Sequence, residues 1–402
     1  RIDGPTFVGV DGGADPASPL STPASLTVSP GVTIFGNCGG DGASCGSGIV
    51  DLLTVSRGSQ IFVNGSVVAP VVLTSRADLE AGGGIRSGAT GEIGGLAING
   101  RAPLNECTVN PAAMTGSIMC EQNGEGGSGV FGGATPDDNS GRINFLQVRY
   151  AGFPFTPTNE LNSIALQGVG DGTEIDFVQV VNGADDGIEW FGGTVDVSHA
   201  VILGAGDDSI DWTDGWTGSL QFAIVAQNAG DDNGIEGDNN GDTSPDAMPR
   251  SAPTIANVTL IGDADATAAV GASGEGAQLR EGTAGALLNA AIANFDQGLE
   301  FNPAGTGPNP AVDGVALLDN DDAFAGSGAT LDAGANIVTA DPGISYTGAV
   351  SALVTTINDA ADTAGAVAVD PSATDPALEA ATYVGATENA ADTWFAGWTI
   401  GL

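Results

Sequence analysis

Short runs of apolar and β-branched residues alternate along most of this chain with breaks rich in Gly, Asn, Asp and Pro. Residues 24–28, 32–35, 52–55, 60–65 and 71–75 read as strand, turn, strand, because β-branched enrichment between such breakers favours extended backbone over helix. The pattern resumes at 143–148, 175–180, 197–203, 220–225, 255–260, 287–292 and 312–317. From Ile175 to Val312 the starts advance by 22, 23, 35, 32 and 25 residues. Three acidic turns share the period: Asp185-Asp186-Gly187-Ile188-Glu189, Asp207-Asp208-Ser209-Ile210-Asp211 and Asp231-Asp232-Asn233-Gly234-Ile235-Glu236, starting 22 and 24 residues apart. Repeats of this length mark stacked solenoid coils. The pattern predicts an all-β fold, a single-stranded parallel β-helix forming one domain.

The two longer steps place loops in the coil at about 238–252 and 263–276, and a looser stretch at 81–139 reads as a third excursion. Residues 1–23, rich in Gly and Pro, form an arm with one apolar stretch, Thr6-Phe7-Val8-Gly9-Val10. Thr6, Phe7, Val8 and Val10 are candidates for a strand donated to a neighbouring copy. Beyond residue 325 the chain turns Ala-rich. Residues 351–361 suit a short amphipathic helix, and 326–402 reads as final coils plus a cap in which Trp394 and Trp398 cover the open end of the last coil.

Charge narrows the partners. Fifty acidic residues face nine basic ones, all Arg, for a net charge of −41, so nucleic acid and anionic lipid are repelled and small cations attracted. The acids are interleaved with 42% hydrophobic residues, unlike a disordered polyanion. No apolar run reaches the roughly 20 residues of a membrane span. Cys38 with Cys45 and Cys107 with Cys120 read as two local disulfides, since zinc spacing is missing and the single His199 is far from both pairs. Disulfides point to a secreted or surface-displayed protein, and Arg1 in place of a start methionine fits removal of a signal peptide.

Stacked coils lie about 4.8 Å apart, so equivalent residues form ladders. Ile188, Ile210 and Ile235 are expected to line the interior, with Trp190 above Trp212, while Asp185, Asp207 and Asp231 pile up outside. In a water-like dielectric each such acidic pair costs on the order of 1 kcal/mol. Calcium, with six to eight oxygen ligands, offsets that cost, which makes Asp185, Asp186, Asp207, Asp208, Asp211, Asp231 and Asp232 the candidate metal ligands. Against it stands the plainer reading that these acids cap turn amides. Gly204-Ala205-Gly206-Asp207-Asp208-Ser209-Ile210 matches the calcium nonapeptide of β-rolls only in part, because that motif recurs every nine residues. Asp238-Asn239-Asn240-Gly241-Asp242 with Asp246, and Asp319-Asn320-Asp321-Asp322, have similar potential.

Paired acids also suggest glycosidic chemistry, and the Asp-Asp runs resemble the Asp-Asp segment of polygalacturonases, but the Gly-His-Gly and Arg-x-Lys signatures of those enzymes are missing. His199 sits in an alternating strand without a nucleophile elbow and reads as a hydrogen-bonded structural residue. Arg149, Arg250 and Arg280 are expected to neutralise nearby acids. No catalytic residue is assigned.

The segments Pro136-Asp137-Asp138-Asn139-Ser140-Gly141, Gln147-Val148-Arg149-Tyr150-Ala151-Gly152, Ile164-Ala165-Leu166-Gln167-Gly168-Val169-Gly170, Asp185 through Thr194 and Ser251 through Leu260 resemble a family of secreted bacterial parallel β-helix proteins and lipoproteins. The resemblance spans about residue 24 to the Trp394 and Trp398 tail. It implies a right-handed β-helix exported to the envelope or beyond and brings no catalytic residues. The function expected first is an extracellular structural rod that assembles with copies of itself in a surface layer, matrix or filament. The alternatives are a polysaccharide-binding or polysaccharide-cleaving β-helix with Trp216 or Phe153 as sugar platforms, and a calcium-stabilised adhesin.

Overall fold

A computed structural model of the chain describes residues 1–37, 50–153, 161–241, 244–263, 274–332 and 336–402. Its strands climb a common axis as a parallel β-helix. One ten-stranded sheet runs Thr6–Val8, Leu52–Val55, Gly95–Asn99, Ile164–Gln167, Ile188–Phe191, Ile210–Thr213, Ile235–Gly237, Glu275–Arg280, Gln297–Asn302, Asp322–Gly326, every neighbouring pair parallel. We term it the acidic sheet. A broader sheet begins with Ser25–Val28 and Gln60–Asn64, with Thr33–Gly36 and Val71–Ser75 alongside, and continues through Gly141–Arg149, Glu174–Val181, Val197–Leu203, Ser219–Ala226, Thr254–Ile261 and Ala286–Ala293 to Ile337–Ala340.

The six long strands of the broad sheet, from Gly141–Arg149 to Ala286–Ala293, each bend at a left-handed residue, and these stack in register: Phe145, Phe177, His199, Phe222, Asn257 and Asn289, with φ between 52° and 64°. The bend folds one long strand around two sides of the coil, and the acidic sheet closes the third. Alternation then sorts the side chains. Ile188, Ile210 and Ile235 are paired on successive rungs and almost wholly buried, as their spacing predicts. Trp190 pairs with Trp212, and Trp216 stacks on Trp190 at 4.4 Å between ring centroids. Gly237 follows Trp212 in the column because a Cβ there would lie 2.1 Å from the indole Cζ2.

Three expectations change. The arm is not free to be donated: Thr6, Phe7 and Val8 pair in parallel with Leu53, Thr54 and Val55 of the same chain, leaving Phe7 and Val10 exposed beside that edge. The excursion expected at 81–139 is two loops, because Gly95–Asn99 completes a rung between Leu52–Val55 and Ile164–Gln167. The C-terminal tail does not plug the last coil. It runs back along the outside of the broad sheet, where helix Val350–Ala364 buries Val354, Ile357 and Ala361 in one apolar cluster with Ala291, Ala316 and Leu318. Further back, Trp398 meets Phe145 and Phe177 edge-on at 5.6 and 5.8 Å. Side-chain amides hold this strap as a strand would: Gln179 Nε2 donates to Ile400 O at 2.7 Å and its Oε1 accepts from Ile400 N at 3.0 Å, while Gln221 exchanges the same pair of bonds with Glu379 and Asn289 with Val369. The ends of such residues are polar acceptors and donors in one plane, which lets a side chain stand in for a peptide group.

Cys107 and Cys120 form a disulfide, whereas Cys38 and Cys45 lie outside the described residues.

Candidate functional site

The acidic turns deliver their carboxylates to one edge and the outer face of the acidic sheet. Register places Glu189 beside Asp211, Asp211 beside Glu236, Glu236 beside Gln278, and Gln278 beside Glu300. In the turns before these strands, Asp186 accepts the backbone N–H of Asp208 at 2.9 Å, and Asp208 accepts that of Asn233 at 2.9 Å. The result is four overlapping sets of carboxylates, each with oxygens within 4.8 Å of one another: Asp185, Asp186 and Asp207; Asp186, Glu189 and Asp211; Asp207, Asp208 and Asp232; Asp208, Asp211 and Glu236.

Six of the seven acids expected as ligands are brought together. Asp231 is not. Its turn holds one more residue before the inward isoleucine than the other two turns, so Asp232 takes the column position. The Asp231 carboxylate instead accepts the N–H groups of Asn228 and Ala205, at 2.7 and 3.2 Å, and caps the turn. Glu189 and Glu236 complete the sets although neither was expected. The signal for them was the residue directly after each inward isoleucine.

Burial dominates the electrostatics. Asp186, Glu189, Asp208 and Asp211 are all pushed well above the ordinary carboxylate range, first by desolvation and then by one another's charge. Glu236 is raised to about 8 by burial, against the pull of Arg280. Glu189 and Asp211 share a hydrogen bond within this set. Arg280 binds Glu236 at 2.5 Å and Asp238 at 2.9 Å and is, among the described residues, the one Arg paired with an acid of the column. Arg149 and Arg250 likewise pair with Asp78 and Asp246, the neutralising role their setting implied. One oxygen of Asp211 and one of Asn162, whose Nδ2 donates to Glu189, have no hydrogen-bond partner. Clustered buried oxygens short of positive charge suit a hard cation with an all-oxygen shell. Asp319, also considered, is engaged by the N–H groups of Gly343 and Ile344 and the Tyr346 hydroxyl.

Next to the column a cleft of about 420 Å³ opens over the outer face of the same sheet. Its floor carries Gln167, Phe191 and Thr213, and its wall is the loop tied by the Cys107–Cys120 disulfide. Gln122 Nε2 donates to Glu106 at 2.9 Å and to Asp214 at 2.7 Å. Asp214 is buried and raised to about 7, first by desolvation and then by Glu106. The sequence gives no repeat signal for this cleft, because its wall is a single non-repeating loop. Trp216, expected as an exposed sugar platform, is fully buried inside the coil, and Phe153 packs half-buried against the cluster around Leu52. His199 is structural as expected: its Nδ1 lies 2.8 Å from Asp176, and its ring is sandwiched between Phe177 and Phe222.

The model of the pectate-lyase-like β-helix domain matches residues 18–399. The chain belongs to that family. No curated protein and no solved structure matches the chain significantly. The acidic sheet carries the carboxylate column and the adjoining cleft, whereas the strap from helix Val350–Ala364 to Ile400 packs on the broad sheet.

Proposed function

We propose that this protein is an extracellular polysaccharide-binding β-helix whose acidic column holds calcium. The observation that carries the reading is the adjacency of column and cleft on one sheet face. Glu125 lines the cleft, and its carboxylate accepts at 3.2 Å from the same Asn162 amide that binds Glu189 of the column. A cleft with amides, the Phe191 ring in its floor and a few carboxylates has the make-up of a sugar site. A divalent ion in the column removes the repulsion that a chain of charge −41 otherwise presents at that face. Family membership supports a polysaccharide-related role, and the disulfide supports an oxidising compartment.

The test is a screen of acidic, neutral and amine-bearing oligosaccharides for binding and for new reducing or unsaturated ends, with calcium and with chelator. Binding of at least one glycan class that weakens on chelation is expected. Absence of binding to every class in the presence of calcium would refute the polysaccharide reading.

A further inference from the structure

All three methionines of this chain are on its surface. Methionine is among the residue types most often fully buried, yet the core here is built from aliphatic and aromatic side chains without one. Met114, Met248 and Met119 are 76%, 58% and 55% exposed. They are also gathered. Met114 and Met119 lie on the loop that the Cys107–Cys120 disulfide closes, and Met248 lies on a second loop that abuts it. Asn105, at the foot of the first loop, donates its Nδ2 hydrogens to Pro249 O at 3.0 Å and Asn239 O at 2.7 Å, and a Cβ on Gly116 would lie 3.4 Å from Pro249 Cδ. Val109 and Ile118 are exposed on the disulfide-closed loop as well, so the thioethers belong to an apolar patch.

A thioether differs from an aliphatic side chain in its reactivity. Its sulfur lone pair attacks an oxygen of hydrogen peroxide, the S–O bond forms as the O–O bond breaks, and the departing oxygen takes the proton of the transferred one and leaves as water. Sulfur is oxidised by two electrons, peroxide is reduced by two, and the product is methionine sulfoxide, which is polar. In a core that change disrupts packing; at these three positions it meets solvent. None of the three lines the cleft or belongs to the carboxylate sets. The other sulfurs among the described residues, Cys107 and Cys120, are buried and already oxidised to a disulfide.

We propose that Met114, Met119 and Met248 form a surface oxidation site for peroxide-class oxidants, where three sulfoxides form and erase an apolar patch while the fold is left intact. This goes beyond the polysaccharide reading and does not depend on it.

The experiment treats the full chain with hydrogen peroxide, natively and in denaturant, and follows oxygen uptake by mass spectrometry after trypsin, which here cleaves only at Arg. Peptide 102–142 should gain two oxygens and peptide 150–250 one, with fragment ions separating Met114 from Met119. Each native rate should lie within about threefold of the denatured rate, because susceptibility follows exposure. The oxidised protein should keep its melting temperature and elute earlier in hydrophobic-interaction chromatography. A variant carrying Met114→Leu, Met119→Leu and Met248→Leu should show no such change of elution on treatment. Native protection of any of the three by about tenfold or more would show the patch covered, by a second copy or by neighbouring loops, and overturn the proposal. A melting temperature that falls on oxidation, an elution that does not move, or a variant whose elution moves as the native protein's does would overturn it too.

Discussion

The Asp186 carboxylate accepts the backbone N–H of Asp208, one coil further along, at 2.9 Å. One side chain therefore fixes the step between coils and supplies an oxygen to two of the carboxylate sets. Its two tasks separate by mutation. Asp186→Asn retains the acceptor and removes a charge that burial and Asp211 disfavour, so the chelator-treated variant should melt higher than the native protein and gain less from calcium. Asp186→Ala loses the bond as well and should melt lower. Scanning calorimetry with and without chelator decides, and an Asn variant that melts lower in chelator than native contradicts the assignment.

The pH dependence follows from the raised acids. Asp214 and Asp231 stand at about 7 and Glu236 at about 8, against 3.8, 3.8 and 4.5 without the fold, burial being the leading cause in each. Between those limits the folded chain holds more protons than the unfolded one, so stability is fully present below pH 4 to 5 for these groups and is lost as pH rises toward 8. Chelator-treated protein is expected to unfold at a higher denaturant midpoint at pH 5 than at pH 8. Calcium should remove the part of the slope that Glu236 contributes, because a calcium ligand is the deprotonated form, and leave the part from Asp214 and Asp231. A midpoint that climbs from pH 5 to pH 8 without calcium would be the opposite sign.

Trp216 and Phe191 should respond in opposite ways. Trp216 is fully buried, stacked on Trp190, and its Nε1 donates to Val195 O at 3.0 Å. Trp216→Ala is expected to cost about 3–5 kcal/mol of stability with glycan affinity unchanged in the folded fraction. Phe191→Ala, at the cleft, should lower affinity with the smaller stability loss. Denaturant melts paired with glycan titrations separate the two, and a folded Trp216→Ala protein that has lost glycan affinity would restore Trp216 as a platform.

Much of this architecture was written in the repeat. The isoleucine ladder, the Trp190 and Trp212 pairing and the loop before Thr254–Ile261 follow from period and alternation, which are properties of neighbouring residues. The column was legible except for its phase. Aligning the turns on their acidic doublets put Asp231 in line with Asp207, whereas aligning on the inward isoleucine puts Asp232 there and brings in Glu189 and Glu236. Apolar burial sets register, so the isoleucine is the correct anchor. The cleft and the strap were not legible. Glu106 and Gln122 reach Asp214 from about a hundred residues away through a non-repeating loop, and the tail contacts the broad sheet through single amides spread over many coils, where no local periodicity records the partner.

The strap makes its own prediction. Truncation after Gly365 removes Trp394, Phe395 and Trp398 and uncovers the stacked Phe145, Phe177, His199 and Phe222 rings. An exposed apolar stripe of this kind favours self-association. The truncated chain should melt at lower temperature and aggregate in light scattering, and an unchanged melt with a monodisperse profile would show that the strap adds nothing to the fold.

Calcium uptake by the column is the point on which most depends, and calorimetric titration of calcium into the chelator-treated protein measures it directly. A double variant, Glu189→Gln with Asp211→Asn, serves as the comparison. Saturable binding by the native protein, lost in a double variant that still unfolds cooperatively, is the expected result. A native protein that takes up no calcium, or a double variant that binds it as the native does, would contradict the assignment of the column as a cation site.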